Sequence, residues 1–89
     1  MQTVHLMIKG NVQGVFYRAS AKEVAEKLSI TGWIKNTING EVEAMASGDT
    51  KAVQEFINWC KKGPSKAIVK EVVVTEKEGV SFNEFSIIR

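Results

Sequence analysis

The residues with the clearest chemical potential are Gly10, Gly14 and Arg18, within the stretch GNVQGVFYR at positions 10 to 18. Glycine accepts backbone conformations closed to other residues, so two of them let a loop curl until successive N–H groups face one concavity. Arg18 adds a permanently charged, planar fork of donors that matches two oxygens of a phosphate or carboxylate. A helical pattern starts just after it, which places the loop at a helix N-terminus, where unpaired N–H groups and the helix dipole attract anions. The chemistry to expect is anion binding. A plain glycine turn followed by a surface arginine has the same spacing, and these residues alone leave both readings open.

The elements that must position this loop follow from periodicity. Val4, Leu6 and Ile8 alternate with Thr3, His5, Met7 and Lys9, the period of a half-buried strand. Ala21, Val24, Ala25 and Leu28 form an apolar stripe at helical spacing and predict a helix near residues 19 to 29. TGWIKNTINGEVEAMASG reads as two short strands joined around Asn39-Gly40, with Val42, Ala44 and Ala46 facing inward on the second. Asp49 caps a second helix near 50 to 62, whose stripe is Val53, Phe56, Ile57 and Cys60. Lys61 and Lys62 suit its C-terminal end, and Gly63-Pro64 stops it. AIVKEVVVTEKE is a β-branched strand, and FNEFSIIR a last one with Phe85 and Ile87 inward. The order predicts an α+β, ferredoxin-like βαββαβ sandwich: an antiparallel sheet of four to five strands, both helices on one face and water on the other. That architecture hosts many activities and settles none.

Composition narrows the classes. Eighty-nine residues make one domain, spanning 1–89. The net charge of +2 arises from 12 basic and 10 acidic residues spread along the chain, unlike the concentrated positive charge of a nucleic-acid binder. An RNA-binding version of this fold needs aromatics on the central strands, and TVHLMIK and EVEAMAS have none. Cys60 is the only cysteine, which excludes an intramolecular disulfide, a thiol metal cluster and the paired cysteines of a metal carrier. A reducing cytoplasm and a monomer are the expectation. No apolar run approaches the ~20 residues of a membrane span, and the N-terminus lacks the pattern of a signal peptide.

GNVQGVFYR resembles the signature of the acylphosphatase family: glycine, any residue, Val-Gln-Gly-Val, any residue, an aromatic and arginine, after a first strand. Gly32, Trp33, Ile34, Lys35, Asn36, Gly40, Val42 and Gly48 are similar to the family's second signature, and Gly63-Pro64, Ala67, Val69, Phe85 and Ile87 match as well. The resemblance covers essentially the whole chain. Two positions depart conservatively, Tyr17 where phenylalanine is usual and Ile34 where a smaller residue is usual. The resemblance implies hydrolysis of the carboxyl–phosphate bond of acyl phosphates, small-molecule substrates, with no metal or cofactor. It further implies that Arg18 and the amides of Gly14, Val15, Phe16, Tyr17 and Arg18 bind the phosphoryl group, while Asn36 positions the attacking water.

The residue types suit that reaction. The two motifs contain no histidine, cysteine, aspartate or glutamate to serve as nucleophile or general acid–base. Asn36 can hold a water but cannot take its proton at neutral pH. A phosphate ester, whose alkoxide wants protonation, would be poorly served. An acyl phosphate leaves as a carboxylate and needs no acid. Phosphoryl transfer asks mainly for positioning and charge stabilisation, which Asn36 and the arginine loop provide. In this reading the two glycines shape the cradle and the two aromatics, Phe16 and Tyr17, anchor it to the core.

Other conspicuous side chains read as structural. His5 and Lys35 are outward strand residues, Glu41 and Glu43 an exposed strand face, Cys60, Trp33 and Trp59 packing, and Gln13 a support for the loop. The rival function is a non-catalytic, anion-sensing module that keeps the cradle. Asn36 separates the two, because a binder has no need to hold a water.

Overall fold

A computed structural model describes all of residues 1–89. The elements run β1 (Gln2–Asn11), α1 (Tyr17–Lys27), β2 (Thr31–Asn36), β3 (Val42–Gly48), α2 (Thr50–Lys62), β4 (Ile68–Lys77) and β5 (Phe85–Ile88). The strands form one sheet in the order β4-β1-β3-β2-β5. The expected α+β ferredoxin-like architecture is present.

The register explains the layering. β1 pairs antiparallel with β3 so that Val4, Leu6 and Ile8 lie opposite Ala46, Ala44 and Val42, all fully buried. These six define the inward face of the sheet. Small residues on β3 leave room for the helices, which close over it with Ala21 and Ala25 from α1 and Val53, Phe56, Ile57 and Cys60 from α2. All belong to one apolar cluster, so both helices lie on the same face. Phe85 enters from β5 and meets Phe56 edge-on, ring centroids 5.7 Å apart.

α2 is built as its sequence indicates. The Asp49 carboxylate accepts from the Lys51 N–H at 3.2 Å, and Gly63 ends the helix in a left-handed conformation, its N–H donating to the Trp59 carbonyl at 2.7 Å. α1 is displaced from the expected 19 to 29: it begins at Tyr17 and ends at Lys27. Ser29, at φ 57, turns left-handed and sends its N–H back to Glu26, while Ile30 bonds back to Ala25. The turn closes the helix without a glycine.

β5 also differs from the expectation of a wholly antiparallel sheet. It pairs with β2 in parallel register, Gly32 with Phe85 and Ile34 with Ile87. After β4, at one edge, the chain crosses to the opposite edge and runs back antiparallel to β4, which is the direction β2 already has. The outer face is less solvated than a fully wet surface, since Met45 and Ser47 are buried there. Glu43 on that face is an ion-pair hub rather than an exposed acid: His5 Nε2 lies 2.7 Å and Lys35 Nζ 3.8 Å from its carboxylate oxygens. Lys35 also stands over the Trp33 ring, 5.4 Å from its centroid.

Strand direction decides where function can sit. β1, β2 and β5 all run the same way, because each is antiparallel to β3 or parallel to a strand that is. Their C-terminal ends therefore share one edge of the domain, and residues 11–18, Asn36 and the 87–89 segment all emerge there.

Candidate active site

A cavity of about 260 Å³ opens at that edge, lined by Val12, Gly14, Phe16, Tyr17, Arg18, Ala19, Asn36, Ile87 and Arg89. Arg18 and Asn36, eighteen positions apart in sequence, meet in its wall. Gly14, Phe16 and Tyr17 line it as well, whereas Val15 is half-buried, packs against the core and does not. Neither arginine has an acidic partner, since the ion pairs of the chain are those of Glu43. No aspartate, glutamate, histidine or cysteine lines the cavity. Nor do three such side chains gather anywhere as potential metal ligands.

The loop backbone is locally strained into its shape. Gly14 has φ 75 and Phe16 φ 63, with Val15 between them on the ordinary side, the alternation that turns consecutive N–H groups into a nest. Gly14 is the conformational hinge that the sequence indicates. Gly10, at φ 132, also holds a backbone that favours glycine, but within β1, at a bulge where the register with β4 shifts between Lys9 and Gly10. A Cβ there would overlap the Ile68 carbonyl, so that glycine serves close strand contact and redirects the chain toward the loop.

The N–H groups from Gly14 to Ala19 donate to no acceptor in the chain. The first backbone bond of α1 is from Ser20 to the Phe16 carbonyl, at 3.1 Å, and no side chain caps the helix start. Six consecutive donors, the open end of a helix and an unpaired guanidinium coincide in one place. Unpaired donors and positive charge of this kind favour an anion.

Two side chains hold the loop. Gln13 Nε2 donates to the Thr37 carbonyl at 2.9 Å and the Glu41 carbonyl at 2.8 Å, tying the loop to the β2–β3 hairpin directly after Asn36. Thr37 and Glu41 brace that hairpin further through the Thr37 hydroxyl, which accepts from the Glu41 N–H at 3.0 Å. Tyr17 is the second anchor. It is buried, its ring stacks obliquely on Trp59 at 5.4 Å, and its hydroxyl donates to the Cys60 carbonyl at 2.6 Å. The residue four beyond Cys60 is Pro64, which has no N–H, so the tyrosine supplies the donor that helix geometry withholds. Burial pushes the Tyr17 hydroxyl well above its ordinary range and the Cys60 thiol up to about 12, so both stay protonated at neutral pH.

Phe16 departs from expectation. It is 80% exposed, so only one of the two aromatics anchors the loop. Its backbone is left-handed, at φ 63, and it lines the cavity. Ala19 and Arg89 line the cavity without having been singled out from the sequence, and Arg89 is the charged one. Its one local signal is a second unpaired cation at the end of an apolar strand.

The fold and the site define a ferredoxin-like protein with an arginine-bearing loop set against an asparagine. The sequence model of the acylphosphatase family matches residues 4–87. The acylphosphatase of Methylococcus capsulatus is 42% identical over 90 residues, covering 100% of this chain and 98% of that protein. In three dimensions the chain superposes on the crystal structure of acylphosphatase from Bacillus subtilis with a TM-score of 0.96, at 33% identity and full coverage of both chains. It likewise matches an acylphosphatase from Coxiella burnetii with a TM-score of 0.94 at 34% identity, covering 98% of this chain and 92% of that one. The chain belongs to the acylphosphatase family, hydrolases of the carboxyl–phosphate bond of acyl phosphates.

Proposed function

We propose that Arg18 and the backbone N–H groups of Gly14, Val15, Phe16, Tyr17 and Arg18 hold the phosphoryl group of an acyl phosphate, and that Asn36 positions the water that attacks it. The carrying observation is the meeting of Arg18 and Asn36 in one cavity beside six unpaired N–H donors.

The reaction runs as follows. The water, held by donating an O–H to the Asn36 carboxamide oxygen, forms a bond from its oxygen to phosphorus as the bond from phosphorus to the acyl oxygen breaks. The leaving group departs as a carboxylate, a weak base that needs no proton. The water's proton passes to a phosphoryl oxygen, so the products are a carboxylate and inorganic phosphate. Charge on the equatorial oxygens is met by the guanidinium and the amides, fixed before the substrate arrives. With no acid or base in the cavity wall, this machinery is confined to activated phosphates.

Residues 1–89 form the whole catalytic unit in this reading, acting as a monomer in the cytoplasm. A lone, buried cysteine suits a reducing compartment, and no helix is long and apolar enough to cross a membrane. A purely anion-sensing role is disfavoured by Asn36, which a binder does not require.

The test is phosphate release from benzoyl phosphate by the purified chain in the presence of a chelator, with inorganic phosphate as a competitive inhibitor. Turnover that persists in chelator and is lost in Arg18→Ala is the expected result. Absence of turnover in the unaltered chain would reject the reading.

A further inference from the structure

We infer that the exposed lysines at the end of α2 and in the turn after it, Lys61, Lys62 and Lys66, form a capture surface that draws phosphate-bearing anions toward the cradle before Arg18 is touched. The inference rests on the proposed roles of Arg18 and Asn36 and adds how their substrate arrives.

The net charge of +2 says little by itself, because basic and acidic residues are mixed along the sequence. The fold sorts them. β1, β2, β5 and α2 all end at the edge that holds the cavity, and β3, β4 and α1 begin there. Lys61 and Lys62 close α2 at that edge, Lys66 lies in the turn before β4, and all three are exposed. The acids gather elsewhere. Glu26, Asp49, Glu76, Glu78 and Glu84 stand toward the opposite end, where α1 and β4 finish and α2 and β5 start. Glu23 and Glu55 lie midway along the helices. Glu43 is matched by His5 and Lys35, and Glu71 lies opposite Lys9 in the sheet. Glu41 is the one acid left at the cavity edge.

Three lysines exceed what the helix end asks for. A helix C-terminus carries about half a negative charge, which a single cation offsets. α1 presents its N-terminal end at the same edge, so the two helix dipoles oppose each other and side chains set the field. None of the three lysines has an acidic partner, since the ion pairs of the chain are those of Glu43.

The lysines also stand beside the cradle. The Tyr17 hydroxyl donates to the carbonyl of Cys60, the residue before Lys61. A Cβ on Gly63 would lie 2.9 Å from the Tyr17 ring, and Ile68 pairs with Asn11 where the anion loop begins. Yet Lys61, Lys62 and Lys66 do not line the cavity. Charges so placed do not orient a substrate. Within a Debye length they raise the local concentration of an anion and its rate of encounter.

The test compares the unaltered chain with three triple variants. The first is Lys61→Gln/Lys62→Gln/Lys66→Gln, and the second is Lys61→Arg/Lys62→Arg/Lys66→Arg. The third, Lys27→Gln/Lys51→Gln/Lys77→Gln, removes equal charge from the opposite end. All the altered lysines are exposed, so each variant should keep the fold, which circular dichroism checks. Benzoyl phosphate turnover and calorimetric affinity for inorganic phosphate are measured at about 0.01 M and about 0.3 M sodium chloride, on either side of effective screening. Comparison at equal salt removes the effect of chloride competing for Arg18. The first variant should lose about three- to tenfold in kcat/KM and in phosphate affinity at low salt, through KM with kcat unchanged, and less than about twofold at high salt. The arginine variant should match the unaltered chain, because charge alone matters here, in contrast to the two-pronged grip asked of Arg18. The opposite-end variant should change little. Equal losses at the two ends, no loss at either, or a loss that salt does not diminish overturns the capture surface. If the unaltered chain releases no phosphate, the proposed reaction falls instead, and phosphate affinity decides the capture surface by the same comparison.

Discussion

Gln13 Nε2 donates to the carbonyl of Thr37 at 2.9 Å, and Thr37 directly follows Asn36. The side chain that braces the anion loop thus grips the strand end carrying the proposed water-positioning asparagine, and its second bond, to Glu41, locks the far side of the same hairpin. One carboxamide therefore ties the proposed phosphate cradle to the strand end that carries Asn36. Gln13→Ala removes two hydrogen bonds at a half-buried position and should lower stability by about 1–3 kcal/mol while reducing kcat. Gln13→Glu should be worse than alanine, because a carboxylate would face two carbonyl oxygens. Chemical denaturation and benzoyl phosphate turnover measure both.

Arg18 and Asn36 should separate in binding assays. Arg18→Ala should lose affinity for inorganic phosphate together with most turnover, and Arg18→Lys should not restore either, since a point charge cannot make a two-pronged grip. Asn36→Ala should bind phosphate nearly as tightly as the unaltered chain while kcat falls by roughly 10²-fold, the loss typical of a positioned polar group. Calorimetric titration with phosphate beside initial rates distinguishes them, and equal loss of affinity in both variants would contradict separate roles.

Tyr17→Phe leaves the Cys60 carbonyl without its donor in a buried site, since Pro64 cannot replace it. It should cost about 1–3 kcal/mol. The fold tolerates the smaller ring, and kcat should change far less than stability.

Alkaline pH should weaken the fold through the same pair. Burial raises both groups above their unfolded values, 9.0 for Cys60 and 10.0 for Tyr17, with the folded thiol at about 12. The unfolded chain therefore binds fewer protons than the native one once pH passes about 9, and stability falls as pH rises through that window, with the full contribution present below it. Denaturation midpoints from pH 7 to 11 should decline above 9, and less steeply in a Tyr17→Phe, Cys60→Ala double variant. A profile unaltered by both substitutions would assign the decline elsewhere.

Phe16→Gly should move stability and activity in opposite directions. Glycine accepts φ 63 freely and little packing is lost from an exposed ring, so the variant should gain roughly 0.5–1 kcal/mol. Turnover of benzoyl phosphate should fall as the apolar wall of the cavity disappears. Thermal denaturation and kcat/KM report the two effects separately.

Much of the fold is written in short-range patterns. Alternation in β1 and β3, the stripes of α1 and α2, the Asp49 cap and the Gly63-Pro64 stop are all short-range patterns. Each reports directly which face is apolar or where helical hydrogen bonding must end. The turn at Gly14 was equally legible, because its left-handed backbone is one that glycine accepts. The tertiary structure decided what depends on distant chain. Gly10 and Gly14 look alike in sequence, yet only contact with Ile68 makes the first a strand bulge. Phe16 and Tyr17 are adjacent aromatics in a loop with no period, and contact with Trp59 and Cys60 on distant α2 is what buries Tyr17. The direction of β5 followed from the edge to which the chain crosses after β4. That direction also brought Arg89 into a cavity with Arg18 and Asn36, a meeting of three strand ends that no local pattern encodes.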